Sequence, residues 1–277
     1  MRSNIPHYDL EAPTEMSSAL AMVAAGYRPF AGGTDLMVLL EAGKLEATRW
    51  AGLWRIPELH GIEVTQGAVT IGALTTYTEI RRSEFLAKEF PALVAAAAET
   101  GAIANQNRGT LGGNIANASP AADSSPPLLV YDAELDLVSS SGARRVPYCR
   151  FHSGYKRMDL RPDELIARII LPRDKAGWRH CFRKVGTRAA QAIAKVSVAA
   201  AAAVEGRVIR DIRIAFGAVA EYPLRAFRTE DALRGASLDQ LPDLPLEISP
   251  IDDFRSTAHY RRVVAGNLLR EFLESLG

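Results

Sequence analysis

The sequence predicts an α+β protein, and three kinds of observation lead to this. Apolar residues recur at intervals of three and four between Met16 and Ala24, which is typical of an amphipathic helix. A short strand, a glycine turn and a second helical segment follow, an order typical of α/β packing. Further along, β-branched and alternating runs bounded by turn residues predict hairpins and longer strands.

The first quarter of the chain predicts a helix, a strand and another helix. Thr14 is the expected N-cap of the helix over 16–24, and Gly26 is its expected stop. A strand over 27–31 runs into the turn Gly32-Gly33-Thr34-Asp35, and a helix from Leu36 is expected to end near Gly43.

The next part predicts a hairpin followed by helices and a long loop. The hairpin pairs 62–65 with 68–71, and Thr76 and Glu79 have capping-box spacing for one helix over 76–86. Pro91 opens a helix over 92–100, which Gly101 closes. The stretch 105–127 is rich in Gly, Pro, Asn and Ser, so we expect a long irregular segment, which usually serves a site.

The remainder predicts strands, a domain boundary at 173–177, and two closing helices. Pro172 is expected to end the strand over 164–171. The alanine run at 199–203 is ambiguous, but its flanking valines favour strand. The predicted strands are 134–139, 164–171, 179–185, 194–204 and 212–219, and the helices are 228–233 and 256–276.

Composition excludes several classes of function. The 277 residues are 48% hydrophobic and 23% charged, an ordinary globular balance that allows one large domain or two modest ones. Lys and Arg total 33 against 32 acids, which argues against general affinity for nucleic acid or anionic membranes. Two cysteines and five scattered histidines predict no metal site. No signal-peptide core or run of about 20 apolar residues is present, so we expect a soluble cytoplasmic protein.

The glycine pair Gly32-Gly33 lies between a predicted strand and a predicted helix. Glycines let a backbone approach a ligand closely, and successive amides beside a helix N-terminus bind anions such as a pyrophosphate. Thr34 can add a hydroxyl hydrogen bond. On this motif alone, a plain strand–helix turn explains the pair equally well.

A second glycine pair, Gly112-Gly113, lies in 107–114 beside Thr110 and Asn114. A dinucleotide is long enough to need anchoring at two places, and two such turns meet that need; the alternative is an ordinary glycine-rich loop. No G-x-G-x-x-G follows a strand and no G-x-x-x-x-G-K-[S/T] occurs, so a dinucleotide requires another fold.

These two motifs resemble the FAD-binding subunits of molybdenum hydroxylases, a family that includes carbon monoxide dehydrogenase medium subunits and xanthine dehydrogenase flavin subunits. The resemblance covers essentially the whole chain. The segments that carry it are 31–36, 110–123, 160–166, 182–188, 193–197, 250–253 and 260–262.

The resemblance implies an FAD-binding domain of the vanillyl-alcohol-oxidase (PCMH) type over 1–173, with subdomains of about 1–57 and 58–173. A smaller C-terminal domain of antiparallel sheet and helices would span 177–277. It also implies partners: a large molybdopterin subunit and a small subunit with two [2Fe–2S] clusters, in a dimer of heterotrimers. Electrons would pass from those clusters through FAD to an external acceptor.

The resemblance also implies residue roles. Residues 28–36 are expected to wrap the pyrophosphate, and Asp123 to hold the adenosine ribose as part of a second clamp. Ile166 is expected to pack on the cofactor rings and Lys184 to lie near the isoalloxazine, where a cation favours the anionic reduced flavin. The expected cofactor-binding residues are Arg28, Pro29, Phe30, Ala31, Gly32, Gly33, Thr34, Asp35, Leu36, Gly101, Thr110, Gly112, Gly113, Asn114, Ala116, Asp123, Ile166 and Lys184. No catalytic residue and no metal ligand is expected in this chain.

Other interpretations stay open at this point. Asp123 is also explained as a turn or helix cap, Lys184 as a solvated strand residue, and Ile166 as core. Ala190-Gln191-Ala192 stands where many relatives carry acidic residues, which leaves the acceptor (oxygen, NAD or another) open. Two further functions compete: a self-sufficient flavoenzyme of this fold, and a docking subunit with a decayed flavin site.

Overall fold

The N-terminal part is a small parallel sheet packed against one helix. The computed structural model describes residues 7–188, 191–242 and 244–277. The elements of this part are β1 (Asp9–Glu11), α1 (Met16–Ala24), β2 (Arg28–Phe30), α2 (Leu36–Glu41) and β3 (Arg49–Gly52). The strands run parallel in the order β1-β3-β2. Helix α1 buries Ala19, Leu20 and Val23 in one cluster with Ala51 and Leu53.

The apolar spacing therefore predicted α1 and its buried face, but not its cap. Glu15, not Thr14, precedes the first helical residue, and its side chain makes no capping hydrogen bond. Gly26 has φ +88°, as expected of a residue that ends a helix. The sequence gives no sign of β1 and β3, because strands of three and four residues are too short to show a period.

The second part is a five-stranded antiparallel sheet with short helices. Its strands have the order β4-β5-β10-β6-β7, and β8 pairs separately with β9. The elements are β4 (Ile62–Val64), β5 (Ala68–Gly72), α3 (Tyr77–Arg82), α4 (Glu84–Glu89), α5 (Pro91–Glu99), α6 (Ile103–Gln106), α7 (Leu111–Asn117), α8 (Ser125–Val130), β6 (Glu134–Ser139), β7 (Gly142–Pro147), β8 (His152–Gly154), β9 (Arg157–Met158) and β10 (Leu165–Pro172). Ile71, Leu93, Leu135 and Ile169 are fully buried in its core.

Two predictions for this part are wrong. The expected helix over 76–86 is two helices, because Ser83 takes an extended conformation and its hydroxyl accepts from the Leu86 amide to start α4. The expected irregular segment over 105–127 contains α7 and the start of α8. Glycine weakens a helix by propensity, yet here it is required, since a Cβ on Gly112 would lie 2.6 Å from the Ala73 Cβ.

The C-terminal part is a four-stranded antiparallel sheet, ordered β11-β12-β13-β14. Helices α9 and α10 follow it. The elements are β11 (Arg179–Val185), β12 (Val196–Glu205), β13 (Val208–Gly217), β14 (Leu224–Arg225), α9 (Phe227–Leu233) and α10 (Ala258–Glu274). The seven residues expected between strands 194–204 and 212–219 are reduced to two, because β12 extends to Glu205 and β13 already begins at Val208.

Strand β12 is buried on both faces, which explains its alanines. Val198 and Ala200 pack in one core with Leu269 of α10, whereas Ala199 and Ala201 belong to the core of the second part. Successive strand residues point to opposite faces, and small side chains let α8 approach closely. The C-terminal sheet is thus sandwiched between its own helix and the preceding domain. No helix in the described ranges is long and apolar enough to cross a membrane.

Candidate functional site

A single large cleft receives residues from all three parts of the chain. Its volume is about 1480 Å³, and it is lined by β2 and α2, by α7 and the residues after it, and by the C-terminal loops. Pockets for drug-sized ligands measure about 300–1,000 Å³. The cleft therefore suits an extended ligand of dinucleotide size.

The first glycine segment presents unpaired amides to this cleft. Gly33 has φ +76°, and the Phe30 ring lies directly beneath it, so a side chain at this position would be strained and in collision. Within the described part of the chain, the amides of residues 32–35 donate to no protein acceptor. Such a run of free amides is able to bind an anion.

The second glycine segment is built differently from the expected second nest of free amides. Gly112 and Gly113 lie inside α7, whose first-turn amides are already bonded. The Gly112 amide donates to Ala73 O at 2.8 Å, and the Gly113 amide donates to the Thr110 hydroxyl, which caps the helix, at 3.1 Å. What these glycines allow is close packing of α7 on its surroundings, since a Cβ on Gly112 would lie 2.6 Å from the Ala73 Cβ and one on Gly113 would lie 2.7 Å from the Thr110 hydroxyl oxygen.

The two glycine segments, about eighty residues apart in sequence, lie against each other. A Cβ on Gly32 would lie 1.9 Å from the Arg108 carbonyl oxygen. The Asn117 side-chain amide at the end of α7 donates to Asp35 Oδ1 at 3.2 Å, and the Lys156 ammonium donates to the Asn117 carbonyl groups. The chain thus forms one continuous wall from both segments.

Asp123 and Lys184 form a buried ion pair next to this wall. Lys184 Nζ lies 2.6 Å from Asp123 Oδ2, and the two side chains are 5% and 9% exposed. Burial raises the pKa of Asp123 to about 6, although the ammonium of Lys184 acts in the opposite direction. Asp123 Oδ1 has no hydrogen-bond partner in the described structure, and Asp123 lines the cleft.

Sixteen of the eighteen expected cofactor-binding residues line the cleft. These are Arg28, Pro29, Ala31, Gly32, Gly33, Thr34, Asp35, Leu36, Gly101, Thr110, Gly112, Gly113, Asn114, Ala116, Asp123 and Ile166. Phe30 and Lys184 are not among the described lining residues. Phe30 packs edge-on against Trp50 and Trp54 beneath Gly33, and Lys184 lies behind Asp123.

The cleft also contains residues that the sequence analysis missed. Tyr77 lines it, is 3% exposed, and has a hydroxyl without a partner of hydrogen-bonding geometry in the described structure. Its position in the first turn of a predicted amphipathic helix is typical of core, so no sequence signal marks it. Arg261 of α10 also lines the cleft and donates to Ala218 O at 2.7 Å and to Asp253 at 2.7 Å.

The described residues that the loop between β11 and β12 contributes to the cleft are uncharged. Gln191, at φ +52°, lines it together with Ala192 and Ile193. Ala190, which the sequence analysis grouped with them, lies outside the described residues. The described part of this loop therefore places an amide and apolar groups where acids are expected in relatives.

These features fit FAD. The free amides of 32–35 suit its pyrophosphate, and the cleft is large enough for a dinucleotide. Two buried polar atoms without partners, Asp123 Oδ1 and Tyr77 Oη, belong to residues of the cleft wall. Buried polar atoms normally have a hydrogen-bond partner, so we expect a ligand in the cleft to supply the partners of these two atoms.

Comparisons with known proteins agree with this fit. The family model described as FAD binding domain in molybdopterin dehydrogenase matches residues 6–174, and the CO dehydrogenase flavoprotein C-terminal domain matches residues 181–276. The chain is 33% identical to the glyceraldehyde dehydrogenase medium chain of Sulfolobus acidocaldarius, with 86% of each chain covered. It is 30% identical to a xanthine dehydrogenase FAD-binding subunit of Escherichia coli, covering 83% of this chain and 82% of that one.

A solved structure shares the fold over nearly the whole length. A chain of reconstituted CO dehydrogenase from Oligotropha carboxidovorans superimposes with a TM-score of 0.92, 26% identity and 97% coverage of both chains. The chain therefore belongs to the FAD-binding subunits of the molybdenum hydroxylase family; it is an oxidoreductase component and its cofactor is FAD.

Proposed function

We propose that this chain carries electrons within a molybdenum hydroxylase complex, from the [2Fe–2S] clusters of a small partner subunit to an external acceptor. A large partner subunit holds the molybdopterin and performs the hydroxylation, and the assembly is a dimer of heterotrimers. The observation that carries the proposal is the meeting of two glycine segments at one cleft that the C-terminal domain closes.

In this proposal the chain's residues bind and orient the cofactor. The amides of 32–35 donate to the pyrophosphate, and the start of α7 at Gly112 and Gly113 borders it on the other side of the cleft. Asp123 accepts from a sugar hydroxyl and Ile166 packs on the rings. Bound FAD supplies reversible electron uptake and release. The proposed units are 1–173, divided near residue 57, and 177–277.

Two features favour an electron carrier over a self-sufficient flavoenzyme. Substrate oxidation at a flavin needs proton-transfer groups beside the substrate. Among the residues that the structure describes, no histidine and no cysteine lines the cleft. Three carboxylates of its wall already form ion pairs, namely Asp123 with Lys184, Glu164 with Arg144 and Asp253 with Arg261. The C-terminal part is largely committed to its own core and to packing on the FAD domain, so little of it remains to form a substrate-binding cap.

The other alternative, a docking subunit with a decayed flavin site, is disfavoured by the cleft itself. Both glycine pairs are present, and the amides of 32–35 have no competing protein acceptor in the described structure. A decayed site has no need of buried, unpaired polar atoms such as Asp123 Oδ1.

The test is anaerobic reduction of the flavin. In the purified complex, we expect the flavin to be bleached by the substrate that the complex hydroxylates. We also expect molybdenum and the absorption of iron–sulfur clusters to accompany this chain. The isolated chain with FAD should not be reduced by that substrate. Reduction of the isolated chain would contradict the electron-carrier function, and a purified chain that takes up no FAD would support the decayed site instead.

A further inference from the structure

Lys184 acts on the cleft through another residue. Its side chain is 5% exposed, and its ammonium is committed to two acceptors, Asp123 Oδ2 at 2.6 Å and the Glu99 carbonyl oxygen at 3.0 Å. Lys184 belongs to β11 in the C-terminal domain, whereas Asp123 and Glu99 belong to the FAD-binding domain. The ammonium therefore links the two domains directly behind the cleft wall.

The two carboxylate oxygens of Asp123 have different surroundings. Its Oδ2 faces Lys184, and its Oδ1 is buried without a partner while the residue lines the cleft. An unpaired buried carboxylate oxygen is costly, so a donor is expected there. A sugar hydroxyl of a bound dinucleotide is a donor of the right kind.

The charges around Asp123 make its ionisation depend on Lys184. The carboxyl group of Glu99 on α5 raises the pKa of Asp123 further, and burial raises the pKa of Glu99 as well. Tyr77 on α3 lies nearby as a neutral phenol, because burial raises the pKa of its hydroxyl. Lys184 is thus the group that favours the carboxylate of Asp123.

We propose that Lys184 is a positioning residue that holds Asp123 as a carboxylate with Oδ1 presented to a hydroxyl of bound FAD, so that the C-terminal domain supports the occupied cleft. The proposal rests on the proposed FAD contacts. It gives Lys184 a role that does not require contact with the isoalloxazine.

The test is the dissociation constant of FAD, measured by titration of the flavin-free full chain between pH 5 and pH 9. A carboxylate accepts a hydrogen bond more strongly than the protonated acid does, so ionised Asp123 should bind FAD more tightly. Because the pKa of Asp123 is about 6, wild-type affinity should be full above that pH and should fall as the pH drops through it.

Lys184→Met removes the ammonium and keeps the chain length. Removal of an opposite charge raises a carboxyl pKa by about 1–3 units, so the midpoint should move upward by that amount. For a shift of two units, FAD binds about tenfold more weakly at pH 7 and recovers at higher pH. Lys184→Arg retains a cation and should restore a midpoint near that of the wild type.

Arg179→Met is the matched control. Arg179 is an exposed residue of the same strand β11, and it donates to the Ser275 carbonyl oxygen at 3.0 Å. We expect unchanged affinity and midpoint. Equal affinity and midpoint in Lys184→Met would overturn the proposal, and so would a uniform loss of affinity without a shifted midpoint, which indicates a purely structural role.

A second variant keeps the test decisive if Lys184→Met does not fold. Asp123→Asn removes the charge at nearly constant shape, and should bind FAD weakly with no transition near pH 6. Retention of the wild-type transition in Asp123→Asn would also overturn the proposal. Failure of the wild-type chain to bind FAD at any pH would instead contradict the proposed function.

Discussion

The missing side chain of Gly32 decides whether the two glycine segments can meet. Its Cβ would lie 1.9 Å from the Arg108 carbonyl oxygen and 3.1 Å from the Gly109 Cα, both of which are backbone atoms. A backbone cannot yield as a flexible side chain can. Even the methyl group of an alanine at this position would therefore push the two glycine segments apart.

Gly32→Ala should consequently abolish FAD binding while the rest of the chain stays folded. The measurement is the visible absorbance of flavin retained after gel filtration, with circular dichroism to establish folding. Gly67→Ala is the control, since a Cβ at Gly67 would meet nothing within 4 Å and this residue is not at positive φ. A yellow Gly32→Ala variant with full flavin would contradict the assigned contact.

For single residues, the sequence predicted the glycine pairs and most of the residues that line the cleft. It did not predict which of the two pairs has free backbone amides. The amides of 32–35 are free, whereas the Gly112 amide is bonded to Ala73 O across the fold. That difference depends on a partner 39 residues away in the chain, which no local pattern reveals. Tyr77 was missed for the same reason, because its unpaired hydroxyl is visible only once α3 is packed.

Among the elements, α7 forms one side of the cleft and depends on its cap. The Thr110 hydroxyl accepts from the Gly113 amide at 3.1 Å, and Thr110 itself lines the cleft. Helix α4 has a similar cap, in which Ser83 accepts from the Leu86 amide at 3.2 Å, but Ser83 is not among the described residues of the cleft wall. The two caps allow stability and binding to be separated.

Thr110→Ala and Ser83→Ala should each lower the free energy of unfolding by about 1 kcal/mol, the usual effect of losing an N-cap. Only Thr110→Ala should also weaken FAD binding, because only α7 borders the cleft. Urea unfolding and FAD titration of both variants measure the two effects. Equal FAD affinity in the two variants would show that the start of α7 does not hold the cofactor.

Element boundaries were the least predictable feature of the fold. Among the C-terminal elements, strands β12 and β13 and helices α9 and α10 were predicted because long β-branched runs and periodic helices carry a strong local signal. The break at Ser83 and the helix inside 105–127 arise from a serine cap and from contact with Ala73, which are tertiary effects. Strand β3 pairs with both β1 and β2 and packs against α1 through Ala51, and these contacts join segments that are distant in sequence.

In the whole molecule, a cluster of charges at Asp132 joins the two domains. Asp132 lies after α8 at φ +51° and pairs with Arg213 and Arg225 of the C-terminal sheet and with Lys175 of the connecting segment. Lys175 is 1% exposed, so its charge has little access to water. Removal of Asp132 leaves this ammonium with Asp174 as its only described ion-pair partner.

Asp132→Ala should therefore lower the free energy of unfolding by about 3 kcal/mol, the lower end for a broken buried pair because Asp132 is itself 36% exposed. Asp174→Ala is the control, since Asp174 contacts the same ammonium but is 62% exposed, and should cost less than about 1 kcal/mol. Equal losses in urea unfolding would show that the interdomain cluster does not stabilise the chain.

The same cluster predicts a pH dependence. Burial raises the pKa of Asp132, but Lys175 and Arg225 outweigh it and hold the pKa below its usual value. A depressed carboxyl pKa stabilises the fold above the unfolded value of about 3.9, and this contribution is lost as the pH falls through the folded pKa. The difference in unfolding free energy between wild type and Asp132→Ala should thus shrink below about pH 4. A constant difference down to pH 2 would contradict this account.

The central claim is that both glycine segments of one chain hold one FAD, and amide hydrogen exchange of the full chain with and without FAD tests it most directly. Residues 32–35 should show the largest slowing on binding, because their amides have no protein acceptor in the described structure, and α7 should slow in parallel at the same FAD concentration. Slowing at only one segment, or FAD binding that leaves both segments unchanged, would contradict the account.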